Sequence, residues 1–111
     1  MDLGLKGKVA LVTGGARDVG REIVLALANE GAAVAINYRG SEDAANALVT
    51  EINDAGGTAR AYGADVTDYD ATRTMVEQVV ADLGRLDVLV NNAGYVTPQK
   101  FVETTPADWH A

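Results

Sequence analysis

Two kinds of segment alternate along this chain, and that alternation restricts its fold more than any other property. Short apolar, β-branched runs stand at 9–13 (VALVT), 33–37 (AVAIN) and 86–92 (LDVLVNN), with a weaker one at 58–64. Between them lie longer stretches whose apolar residues recur at helical spacing: 18–30 (DVGREIVLALANE), 41–57 (SEDAANALVTEINDAGG) and 67–83 (TDYDATRTMVEQVVADL). A run with no polar face reads as a strand covered on both sides. Strands separated by helices of this length pair parallel through right-handed crossovers, which puts helices on both faces of the sheet. The expected fold is α/β, doubly wound, in the order β-α-β-α-β-α-β. A further cap and Pro106 at 104–111 (TTPADWHA) read as the start of a fourth helix.

The ends of these elements carry signals of their own. Gly31 is the expected stop of the first helix, Ser41 a cap for the second, and polar residues open the third. No linker, repeat or low-complexity tract divides the chain, and 111 residues leave room for one domain at most. With 48% hydrophobic and 23% charged residues the chain reads as globular in spite of a net charge of −7. That acidic balance argues against a nucleic-acid partner, which needs a basic face for phosphates. There is no cysteine, so disulfides and thiolate metal sites are excluded and no metal ligand set is expected. The opening residues show no basic segment followed by a long apolar run, and about 18 consecutive apolar residues occur nowhere, so neither a leader nor a membrane span is expected and the cytoplasm is the expected location.

In a doubly wound sheet the first strand-to-helix turn faces the ligand, and the helix N-terminus offers N–H groups and a partial positive charge to a phosphate. Residues 13–22, TGGARDVGRE, occupy that turn, with Gly14, Gly15 and Gly20 as the glycines. The G-x-G-x-x-G spacing is absent; what fits is T-G-x-x-x-G-x-G with Asp18 standing where the middle glycine belongs. A carboxylate ~5 Å from a phosphate costs about 3 kcal/mol at an effective dielectric of about 20, roughly a hundredfold in affinity. Two arrangements are open at this stage. Asp18 faces the phosphate, with Arg17 beside it to soften the repulsion, or it turns back onto helix N–H groups as a cap; a tolerated variant is expected either way.

After the second strand, a site that selects NAD carries an acid that accepts from the adenosine ribose. Here the residues are NYR: Tyr38 stands where the acid is expected, and Arg39 follows. An acid repels a 2′-phosphate, whereas a guanidinium binds it in bidentate fashion, so the pattern favours NADP(H) over NAD(H). Seen alone, Asp65 in GADVTD reads as a turn or capping residue. Finally, LDVLVNNAG at 86–94 places Asn91, Asn92, Ala93 and Gly94 after an apolar strand. Small residues there allow close backbone approach, and asparagine amides can tie neighbouring strand ends together.

With these motifs in this order, the chain resembles the short-chain dehydrogenase/reductase family, along essentially its whole length and most closely the reductases of the 3-oxoacyl carrier-protein type. The resemblance implies a Rossmann-like fold and a nucleotide cofactor, with Gly14, Gly15, Arg17, Asp18, Val19, Gly20, Arg39, Asp65, Val66, Asn92, Ala93 and Gly94 at the cofactor. It puts the backbone N–H of Val19 on the cofactor, brings Arg17 to the same end as Arg39, and gives Asp65 and Val66 to the adenine pocket. The family moves a hydride between NADPH and a carbonyl, using a serine, a Tyr-x-x-x-Lys pair and an asparagine. That pair is missing here: Tyr38, Tyr62, Tyr69 and Tyr95 are followed four residues on by Glu42, Val66, Arg73 and Gln99. Tyr62 and Tyr69 read as packing or surface, and His110 as an exposed helix residue. No catalytic residue is assigned to the chain. The expectation is the N-terminal part, 1–111, of a single NAD(P)-binding domain, truncated and inactive alone, whose full-length parent is a homo-oligomer. Two alternatives stay open: a non-catalytic nucleotide-binding or interaction module that uses the exposed strand edge, or a truncated product without function.

Overall fold

The computed structural model describes residues 4–92. Its elements are β1 (Val9–Val12), α1 (Asp18–Asn29), β2 (Ala33–Tyr38), α2 (Glu42–Asp54), β3 (Thr58–Gly63), α3 (Tyr69–Leu83) and β4 (Val88–Val90). The four strands form one sheet in the order β3-β2-β1-β4, and every neighbouring pair is parallel. Strand order reverses beside β1, because β2 and β3 continue to one side and β4 lies on the other. The expected parallel α/β sheet is therefore what the chain forms. The fourth helix expected at 104–111 lies outside the described residues.

Side chains alternate across this sheet and build two cores. Val12, Val34, Ile36 and Ala59 meet Val24 of α1 and Ala45, Leu48 and Ile52 of α2 on one face. On the other, Val9, Leu11, Ala35 and Tyr62 meet Met75 and Val79 of α3. Because β1 and β2 lie between both layers, Ala10, Leu11, Val12, Val34, Ala35 and Ile36 lose all contact with water, which is why these runs carry no polar alternation. Outside that sandwich the strands are less protected: β4, at one edge, is half-buried throughout.

Helix ends follow local chemistry. The Asp68 side chain accepts from the Ala71 N–H at 3.1 Å and opens α3, and Gly84 closes it in the left-handed region with its N–H on the Val80 carbonyl. Ser41 stands at the head of α2 but its side chain makes no capping hydrogen bond, so the expected cap is corrected to a position without that bond. The second helix leaves through the expected glycines: Ala55 closes it, Gly56 takes φ +93, and the Gly57 N–H donates to the Ile52 carbonyl at 2.9 Å. The Asn53 amide bonds both the N–H and the carbonyl of Ala59, at 2.9 and 3.3 Å, and ties the end of α2 to β3.

The last strand is shorter than its apolar run suggested. Asp87 is not part of it; one carboxylate oxygen accepts from the Val9 N–H at 2.9 Å while the other takes two bonds from Arg85, at 3.0 and 2.7 Å. Arg85 and the Val9 amide hold the Asp87 carboxyl below the usual carboxylate range. Asp87 thereby clips the start of β1 to the start of β4. No helix among the described residues is long and apolar enough to cross a membrane.

Candidate functional site

All four strands point their carboxyl ends the same way, and at the reversal between β1 and its neighbours the chain ends form a floor of amides and hydroxyls. Thr13 follows β1 and is fully buried. Its N–H donates to the Val90 carbonyl at 3.0 Å, and its hydroxyl lies 3.1 Å from Asn91 Oδ1 and accepts from the Asn92 N–H at 2.9 Å. The Asn92 amide then donates to the Gly14 carbonyl at 3.1 Å. Thr13 and the two asparagines after β4 thus lock the two strand ends together, the tie expected of the asparagines.

A second lock comes from a residue the sequence reading passed over. Asn37, at the end of β2, is buried; its Oδ1 accepts from the Gly14 N–H at 3.1 Å, and its amide donates to the carbonyls of Ala64 and Tyr62 at 3.0 and 3.3 Å. The Gly15 N–H adds a bond to the Asn37 carbonyl at 3.0 Å. One side chain therefore spans β1, β2 and β3. The signal was available: a lone amide inside the buried run AVAIN must find partners or be costly.

The glycines allow this floor to be thin. Gly14 takes φ +61, and a Cβ on Gly20 would overlap the Gly14 carbonyl and come within 2.6 Å of Asn92 Nδ2. Only a residue without a side chain lets α1 start so close to the β1 turn.

Above the floor, Arg17, Asp18 and Val19 are exposed, and Val19, at 65%, is the most exposed large apolar side chain among the described residues. The first N–H groups of a helix lack intrahelical partners, and among the described residues no side chain caps those of α1. Capping by Asp18, one of the two arrangements considered, is therefore corrected. Arg17 holds the cap position, and the Asp18 carboxylate has no hydrogen bond among the described residues. Instead Asp18 takes φ +54, the only non-glycine among the described residues with positive φ. The middle glycine of the pattern is thus replaced where a left-handed backbone is required, a conformation aspartate tolerates better than most residues. Its exposure also moves the charge into high dielectric and reduces the repulsion expected from it.

Arg39 and Asp65, at the exits of β2 and β3, meet as an ion pair with Arg39 Nη2 3.2 Å from Asp65 Oδ2. The other oxygen of Asp65 accepts from the Thr67 hydroxyl at 2.6 Å and the Thr67 N–H at 2.9 Å. These two bonds, more than the nearby guanidinium, hold the Asp65 carboxyl below the usual carboxylate range. Val66 is half-buried against the α3-side core. Tyr62 is packing, as read, with its hydroxyl donating to Asp82 at 2.9 Å. Of the expected site residues, Gly14, Gly15, Gly20 and Asn92 belong to the floor, Arg17, Asp18 and Val19 to the exposed turn, and Arg39, Asp65 and Val66 to the strand exits beside it. Ala93 and Gly94 lie outside the described residues, as do Tyr95 and His110. No group of three or more metal-ligating side chains occurs among the described residues.

A family model described as short chain dehydrogenase matches residues 8–111. A 3-oxoacyl-acyl-carrier-protein reductase of Staphylococcus aureus is 45% identical over 102 residues, which are 92% of this chain and 42% of that protein. A short chain dehydrogenase from Burkholderia cenocepacia, solved in complex with NADP, superimposes with a TM-score of 0.79 at 44% identity, over 94% of this chain and 42% of that one. An NAD+-bound xylitol dehydrogenase superimposes with a TM-score of 0.76 at 40% identity, over 82% of this chain and 35% of that one. The chain therefore spans less than half the length of these relatives.

Proposed function

The chain belongs to the short chain dehydrogenase family, and from that premise we propose that it is the cofactor-binding part of an NADP(H)-dependent oxidoreductase that interconverts a carbonyl and an alcohol, similar to 3-oxoacyl-acyl-carrier-protein reductases. The observation that carries this reading is the uncapped, exposed start of α1 on a floor whose own polar groups already have partners. Loop amides left over in such a place suit a pyrophosphate, because the helix dipole and the N–H groups favour the same charge. The cofactor supplies the hydride when bound; the residues of this chain bind and orient it.

In this proposal the N–H groups at Asp18 and Val19 meet the pyrophosphate, and the Val19 side chain covers it. Asn92, with Ala93 and Gly94, borders the ribose on the nicotinamide side, while Asp65 and Val66 receive the adenine. Arg17 and Arg39 take the 2′-phosphate. Relatives with NADP and with NAD both superimpose on this chain, so the preference rests on Arg39 and on Tyr38 standing in place of an acid. A diffusible cofactor of this kind fits a cytoplasmic enzyme. Proton transfer is assigned to no residue here.

Titration with NADPH and NADH at low salt, followed by calorimetry, tests the proposal. Saturable binding with NADPH the tighter of the two is expected. Binding of neither at millimolar levels refutes the site, and NADH binding equally well refutes the role of Arg39.

A further inference from the structure

We propose that Asp65 sets how strongly this chain distinguishes a 2′-phosphorylated adenosine from an unphosphorylated one, by competing with the phosphate for the guanidinium of Arg39. The inference rests on the cofactor site proposed above and concerns what the two residues do to each other. Asp65 Oδ2 and Arg39 Nη2 are 3.2 Å apart. The carboxylate is not free to swing away, because its other oxygen is fixed by both the N–H and the hydroxyl of Thr67. The backbones are fixed as well, since the Ala64 N–H donates to the Tyr38 carbonyl at 3.0 Å and holds the exits of β2 and β3 together. Arg39, by contrast, is 76% exposed along its side chain. It is the movable partner of a stationary anion.

A 2′-phosphate must take this guanidinium from Asp65 or share it. An exposed pair is weak enough to be displaced by a phosphate that accepts two parallel bonds. Part of the gain from the phosphate is then offset by the lost ion pair, and the discrimination is smaller than an unpaired arginine would give. Asp65 in this arrangement is a specificity-tuning residue acting through Arg39.

The test uses adenosine 2′,5′-bisphosphate and adenosine 5′-monophosphate, which differ only in the 2′-phosphate, so adenine contacts of residue 65 cancel in the ratio of their dissociation constants. Asp65→Asn keeps an oxygen for Thr67 and replaces the competing anionic oxygen by an amide. The substitution is expected to raise the preference for the bisphosphate by about two- to fivefold, the range set by an exposed ion pair. In an Arg39→Gln background the same substitution is expected to leave the ratio unchanged. An unchanged ratio with Arg39 present overturns the inference while leaving the cofactor site standing. An equal rise without Arg39 also overturns it, because the carboxylate then acts on the phosphate directly. Failure of the unsubstituted chain to bind either nucleotide refutes the cofactor site, and the inference falls with it. Circular dichroism of each variant checks that the fold is kept.

Discussion

Thr13, Gly14, Asn37 and Asn92 are buried or half-buried and bonded to one another across three strands, whereas Arg17, Asp18, Val19 and Arg39, in the adjoining turns, are exposed and bonded weakly or not at all. The first group contains no titratable side chain; the second holds nearly all its charge at the surface. This difference separates two tasks. A rigid neutral floor fixes where main-chain amides point, and in the proposed function a charged, adjustable rim sets which anion is preferred. Preorganised main-chain donors need no rearrangement on binding, while the rim side chains lose freedom when they engage.

The contrast can be broken most severely at Gly20. Alanine there must displace both the Gly14 carbonyl and the Asn92 amide, and a loss of about 3 kcal/mol in urea denaturation is expected. A near-neutral result means that the floor yields and is not rigid. Next comes Asn37→Ala, which strands the Gly14 N–H and the carbonyls facing it; about 2 kcal/mol of destabilisation is expected from the same measurement.

Asp18 sharpens the comparison from the other side. Asp18→Gly relieves the left-handed backbone and is expected to stabilise the chain by about 1 kcal/mol. Asp18→Asn keeps the backbone preference and removes the charge, so NADPH binding should tighten about fourfold, as a charge ~5 Å away in water implies. If asparagine weakens binding, the carboxylate is assisting the cofactor and the rim has been misread.

The smallest effect is on the pH axis. Asp65 and Asp87 have carboxyls held below their ordinary values. Their contribution is fully present above the unfolded value of about 4 and is lost as the pH falls through the lower folded values. Stability measured by urea should therefore be level from about pH 8 to 5 and decline below about 4. Asp87→Asn should remove part of that decline, and a variant that keeps all of it would show that the clip at Val9 contributes nothing. At the alkaline end, burial and then the Asp82 contact push the Tyr62 hydroxyl up to about 12. The unfolded chain ionises first, so that contribution is lost between about pH 10 and 12.

Apolar runs were enough to read the sheet, because strands enclosed between two helical layers admit no polar alternation. They misled wherever a polar side chain ended an element. Asp87, Asn53 and Asn92 each hold a backbone group outside their own segment, and hydrophobic spacing carries no record of such pairing. The site was half legible. Glycines announce themselves by type, so the tight turn at Gly14 and Gly20 could be anticipated. The function of Asn37 lies in three bonds to residues far along the chain, and the φ of Asp18 is a property of the turn rather than of aspartate. The ion pair of Arg39 with Asp65 is not visible before the exits of β2 and β3 are brought together.

β4 joins the sheet beside β1, the first strand, with Ala10 paired to Val88 and Val9 held by Asp87. Closing that loop spans about three times as many residues as joining β1 to β2, an added entropic cost of about 1 kcal/mol at the moment of docking. Non-local pairings of this sort form late, so the Thr13 and Asn92 amides should gain protection in pulsed hydrogen exchange after the Gly15 amide, which needs only β2. A refolding chain then acquires the floor between β1 and β4 last, when its cores are already assembled. Simultaneous protection of all three amides would show instead that the sheet closes in a single step.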